Sequence, residues 1–160
     1  MKISNAFIQA IAVLVLLAEL PDGSYLKASE INQRMDVSHS YLQKVAKKLN
    51  NAGIIRSEAS KKGGYSLEKE VRNISFYDVF RAVETKMYFL ENIKIDIFHS
   101  MFLSNELVTQ YKNLTVNIMV EAEEIYLNAL KKHSIEEIVP KDSEGELLKI
   151  DWRQYLQNNK

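Results

Sequence analysis

Two helical patterns separated by a short break at Asp36-Val37-Ser38 limit this chain more than any other feature. The first covers residues 28–35 with Ile31 and Met35 inward, and the second covers residues 40–52. Helix, short turn, helix is the unit that lays its second helix in the major groove of duplex DNA. Ser38 stands where a capping hydroxyl is favoured, and Gly53 stands where a helix commonly ends in a left-handed residue.

At 100° per residue, Leu42, Val45, Ala46 and Leu49 fall on one side of the second helix, and Ser40, Gln43, Lys44, Lys47 and Asn51 fall on the other. The apolar side packs inward. The polar side suits a major groove: glutamine pairs bidentately with adenine, lysine reaches the guanine edge, and serine serves several acceptors. Lys47, and Lys48 at the edge of the face, are placed to neutralise phosphates, which supply affinity without sequence information. His39 opens the helix, within reach of a phosphate or base or simply of solvent. Tyr41 sits between the faces, to bridge the core edge and the DNA backbone or to pack.

The flanking segments supply the rest of a winged helix-turn-helix. Residues 5–20 read as a central helix, apolar nearly all round, ended by Pro21-Asp22-Gly23-Ser24. Residues 54–58 and 65–68 read as strands joined by Ala59-Ser60-Lys61-Lys62-Gly63-Gly64, a flexible, positively charged hairpin tip, and Tyr65 opens the return strand. Ile74-Ser75-Phe76 then leads into a fourth helix carrying Val79, Phe80 and Val83.

The formal net charge of zero hides a gradient. Residues 1–85 hold 12 Lys and Arg against 9 Asp and Glu, whereas residues 86–160 hold 9 against 12. Within residues 27–65 the balance is 8 against 3, so the positive charge gathers where the groove-reading elements lie.

Residues 103–133 form one long helical pattern whose apolar positions, Leu107, Tyr111, Leu114, Ile118, Ala122, Ile125 and Ala129, are spaced by threes and fours. At 1.5 Å per residue it extends about 45 Å, more than a small winged domain covers. A helix that long with one apolar seam usually meets a copy of itself, so a homodimer is expected. Residues 134–139 look like a short terminal helix, residues 141–146 like a polar linker, and Leu148, Trp152, Tyr155 and Leu156 mark a short amphipathic helix. Three parts result: a winged helix-turn-helix over 1–85, a junction and dimerisation helix over 86–139, and a linker with its small helix over 140–160.

The assembled residues resemble the Rrf-two family of bacterial regulators, which includes the IscR-like and NsrR-like proteins. The resemblance rests on Ser38-x-Ser40-Tyr41-Leu42, Leu49-x-x-Ala52-Gly53-Ile54-Ile55, Gly63-Gly64-Tyr65-x-Leu67 and Ile74-Ser75-x-x-Asp78-Val79-x-x-Ala82-Val83-Glu84, in that order across residues 5–85. Ser134-Ile135-Glu136-Glu137-Ile138 also looks like the turn that follows the family's dimerisation helix. The resemblance implies a mainly α fold with a two-stranded wing, and a homodimer that binds a partly palindromic operator, most often as a repressor. It also implies that Ser40, Gln43 and Lys44 sit where the family reads bases.

Two departures stand out. Many members hold an iron–sulfur cluster on three cysteines, and this chain has no cysteine, so thiolate-held clusters and disulfides are excluded. The family's wing commonly begins Arg-Gly, where this chain has Ala59 and Ser60, leaving Lys61 or Lys62 as the less suited narrow-groove reader. The altered wing raises an alternative, a winged-helix protein-interaction module that no longer reads DNA.

The region of the family's sensor is rich in rings. Phe76, Tyr77, Phe80, Tyr88, Phe89, Phe98, Phe102 and Tyr111 fall within 36 residues. Phe80, Tyr88, Phe89, Phe98, Phe102 and Tyr111 either wall a pocket for a small-molecule effector or fill the junction between winged domain and long helix. His39, His99 and His133 form no helical metal pair, Asp96 beside His99 makes a poor site, and Glu121, Glu123 and Glu124 solvate the long helix. No metal site, nucleophile–base constellation or phosphate loop is found, so catalysis is not expected. The longest apolar run, residues 11–18, is far short of the roughly 20 residues of a membrane span, and a cytoplasmic location is expected.

Overall fold

The structure, a computed structural model, describes residues 3–60, 63–85, 88, 91 and 94–159. Its helices are α1 (Asn5–Ala18), α2 (Ala28–Met35), α3 (His39–Asn51), α4 (Phe76–Val83), α5 (Asn105–Lys132) and α6 (Trp152–Asn158). Strands β1 (Ile55–Glu58) and β2 (Gly64–Leu67) form an antiparallel hairpin with Ile55 opposite Leu67 and Glu58 opposite Gly64. A mainly α chain with a two-stranded wing is thus what the sequence folds into.

Helix α1 is central because seven of its fourteen residues are buried, among them Phe7, Val13 and Leu14. Around it pack Ile31 of α2, Leu42, Val45, Ala46 and Leu49 of α3, and Val79, Phe80 and Val83 of α4. The inward residues of α3 are the four its periodicity selects. Asp36 turns the chain between α2 and α3 in the left-handed region, φ 52°, which a short polar side chain tolerates. Its amide still bonds the Asn32 carbonyl at 2.9 Å. Ser38 occupies the N-cap position of α3 in extended backbone but makes no side-chain capping bond, so its hydroxyl is left outward. A capping hydroxyl does engage at α4, where Ser75 accepts from the Asp78 amide at 3.1 Å.

Helix α5, 28 residues and about 42 Å long, joins the winged domain through its C-terminal part. Tyr126 meets Phe80 edge-on at 6.0 Å, and Leu127 enters the core. Near its start, Val108 is buried and Tyr111 stacks on Phe102 at 5.0 Å. After it, Phe76 donates its amide to the His133 carbonyl and Ile135 to that of Ile74, which staples the following turn (Ile135–Ile138) to α4.

The residues read as linker and terminal helix fold back onto the winged domain. Asp142 and Gly145 form a tight turn that pairs Lys141 with Leu147. Trp152 then joins the same core as Phe7 and Leu14, and Leu156 is buried beside it. The amide of Ile150 donates to the Glu19 carbonyl at 2.6 Å, and the Trp152 indole donates to the Glu19 carboxylate at 3.1 Å. Burial pushes the Glu19 carboxyl up from its ordinary value, against the pull of the indole N–H and of Arg34. No helix among the described residues is long and apolar enough to cross a membrane.

Candidate nucleic-acid interface

Helix α3 presents its polar side to solvent because its apolar side is consumed by α1 and α4. Ser40, Gln43, Lys44, Lys47 and Asn51 are exposed along it, while Leu42, Ala46 and Leu49 are fully buried. A hydroxyl, two amides and two ammonium groups therefore line one continuous helix face. Gln43 does not hang free. His39 lies between its amide, 2.8 Å from Nε2, and the amide of Asn32 on α2, 3.0 Å from Nδ1. Each ring nitrogen thus lies within hydrogen-bond distance of an amide, which ties the glutamine's orientation to the preceding helix. Nothing in the residue pattern of α3 singled out Asn32. Only the i, i+4 spacing of His39 and Gln43 hinted at the pairing.

Three residues of the sequence-derived set have partners within the fold. Lys48, expected on phosphate, turns its ammonium inward to the Val83 carbonyl, where a cation satisfies the C-terminal end of α4. Tyr41 is half-buried against the core and packs there. Tyr65 pairs through its backbone with Leu26, donating at 2.7 Å and accepting at 3.0 Å, and its ring is half-buried. These are consequences of packing around α1 and α4, which helix periodicity alone does not resolve.

The wing is held closely to the helix-turn-helix. Gly64, at φ 146°, lies so near the Leu26 carbonyl that a Cβ there would collide with it. Gly63 is buried, and a Cβ on it would meet the Glu58 carbonyl. The two glycines thus serve close backbone approach at the base of the tip, a different role from the flexibility expected of them. Lys61 and Lys62 lie outside the described residues. Ala59 and Ser60 are exposed at the tip, and Lys27 lines a cleft with Ser57, Glu58, Ser60 and Tyr65.

The apolar seam of α5 and the aromatic set part company. Leu107, Tyr111, Leu114, Ile118 and Ile125 are all exposed, Ile118 at 58% and Ile125 at 65%, and Ala122 and Ala129 lie open on the same helix. Burying this stripe against a second surface is the physical gain still available to α5. Of the ring residues, Phe80 is enclosed in the core between Phe7 and Tyr126. Tyr88 is half-exposed, Phe98 is half-buried, and Phe102 and Tyr111 stack on each other. Phe89 lies outside the described residues. The described rings are divided between core, surface and one stacked pair.

The chain matches the family model described as "Rrf2: Iron-dependent Transcriptional regulator" over residues 3–141. It is 32% identical over 158 residues to YwgB of Bacillus subtilis, covering 95% of this chain and 94% of that protein. It is 45% identical over 84 residues to YffB of Lactococcus lactis, covering 52% of this chain and 54% of that one. Both are named as HTH-type transcriptional regulators. Among solved structures, CymR, the global cysteine regulator of B. subtilis, superposes with a TM-score of 0.59 at 22% identity, over 86% of this chain and 95% of CymR. IscR of T. potens superposes with a TM-score of 0.62 at 20% identity, over 86% of this chain and 85% of IscR. At such identities these two carry the fold alone. The iron in the family's description finds no thiolate donor here, since the chain has no cysteine. Among the described residues no three His, Asp or Glu side chains converge as a substitute. On its sequence match and its winged-helix fold, the chain belongs to the Rrf2 family of transcriptional regulators.

Proposed function

We propose that the protein is a homodimeric, sequence-specific regulator that represses transcription from a partly palindromic operator, reading bases with Ser40, Gln43 and Lys44 of α3. The observation that carries this reading is the exposed polar face of α3, with Gln43 already oriented by His39, beside a wing anchored to the same core. Lys47 supplies phosphate contact, and Lys48, bonded to α4, does not. The exposed stripe of α5 supports pairing with a second copy, which sets two recognition helices about one helical turn of DNA apart, roughly 34 Å. A cytoplasmic location follows from a partner that is the chromosome.

The division of labour on α3 is testable by titrating operator and random duplexes at several salt concentrations. Lys47→Ala weakens both duplexes alike and lowers the salt slope by about one unit per half-site. Gln43→Ala costs about 1–3 kcal/mol on the operator and little on random duplex, so discrimination shrinks. Lys48→Ala leaves the salt slope at its wild-type value. A Gln43→Ala protein that discriminates as well as wild type would overturn the assignment of the reading face.

A further inference from the structure

Residues 149–156 lie beyond the stretch matched by the family model, yet they grip the helix-turn-helix at several points. Lys149 donates to the carbonyls of Ala18 and Leu20 at the end of α1, at 3.2 and 3.1 Å. Trp152 carries the Arg34 guanidinium over its ring at 5.0 Å. Arg153 forks onto Glu30, Nε to Oε1 at 2.7 Å and Nη2 to Oε2 at 3.2 Å, and Nη2 also donates to the Tyr25 carbonyl at 2.9 Å. Glu30 and Arg34 are four residues apart on one face of α2, so α6 holds that helix at both ends and fixes its rotation about its own axis.

The consequence falls on Lys27. Glu30 Oε2, which accepts from Arg153, also accepts the Lys27 backbone amide at 2.7 Å. On its other side, Leu26 is paired with Tyr65 of the wing. The stretch from Tyr25 to Glu30 is therefore a junction where α2, the wing and the C-terminal strap meet. Within it Lys27 is exposed and lines the cleft between α2 and the wing, which Glu58 of β1 also lines. In helix-turn-helix complexes the first helix crosses the DNA backbone while the second enters the groove. The fork is partly withdrawn from water, with the Arg153 side chain 34% and that of Glu30 18% exposed. A planar guanidinium matched to one carboxylate restricts geometry as a lysine pair does not.

We infer that residues 149–156 are an intramolecular strap that positions Lys27 for a phosphate of the operator, with Arg153 as the positioning residue. This deepens the DNA-binding reading and rests on it. Lys27 touches the nucleic acid; Arg153 acts through Glu30 and never reaches it.

The test is a double-mutant cycle on operator affinity in the full-length protein, read with salt dependence. Lys27→Ala weakens binding about fivefold per half-site near physiological salt and lowers the slope by about one unit, as the loss of one phosphate contact does. Arg153→Ala produces the same lowered slope. In its background, Lys27→Ala has less than a twofold further effect. Glu30→Gln, which keeps an acceptor for the Lys27 amide while weakening the fork, falls between wild type and Arg153→Ala and provides the same readout should the latter fold poorly. A merely structural Arg153 would lower thermal stability while leaving the salt slope and the Lys27→Ala factor unchanged, and that outcome overturns the inference. A wild-type protein with no salt-dependent duplex binding would overturn the underlying reading as well, a result separable from the first because it appears before any substitution is made.

Discussion

Replacing Ile118 and Ile125 together by glutamate yields monomers in sedimentation and removes most operator binding. Both side chains are largely exposed on the single chain, so the substitutions cost little in an isolated protomer. In the proposed dimer they place like charges in an apolar seam without partners, and an unpaired buried charge costs several kcal/mol. Operator affinity then falls by about 10²–10⁴-fold, because the second half-site is no longer engaged as an intramolecular event. The winged domain keeps its own core, so cooperative unfolding of the variant survives. Sedimentation showing an intact dimer would remove α5 from the interface.

The core offers the second large effect. Phe80 is inaccessible to solvent and meets Phe7 of α1 and Tyr126 of α5 edge-on, each at 6.0 Å. It therefore joins the central helix, α4 and the long helix at one point. Phe80→Ala leaves a cavity costing about 3–5 kcal/mol, which lowers the thermal midpoint by about 10 °C or more. The variant also loosens the seat of α5 on the winged domain, so calorimetry and operator titration move together. A loss below about 1 kcal/mol would place Phe80 outside the core.

Local pattern carried much of this structure in plain view. The faces of α3 were legible because Leu42, Val45, Ala46 and Leu49 repeat at helical spacing with no polar interruption, and the turn was legible because Asp36 and Ser38 suit it. What pattern does not encode is which distant group a side chain meets. Lys48 lies at the edge of the basic face, and only the approach of α4 shows that its ammonium ends on the Val83 carbonyl. Tyr65 follows two wing glycines, yet its backbone completes a pairing with Leu26, 39 positions earlier. The amphipathic spacing of Leu148, Trp152 and Leu156 predicts a short helix but says nothing of its address, because Trp152 finds Glu19 across 133 positions. Likewise Asn32 acquires a part in orienting Gln43 only once α2 and α3 are crossed.

Selection of bound duplexes from a random pool by the purified wild-type protein decides whether two copies of this chain read DNA sequence with α3. The expected result is an enriched inverted repeat whose half-sites are centred about one helical turn apart, with enrichment lost in Gln43→Ala. A pool that remains random after repeated rounds, from a protein that is folded and dimeric, would contradict it.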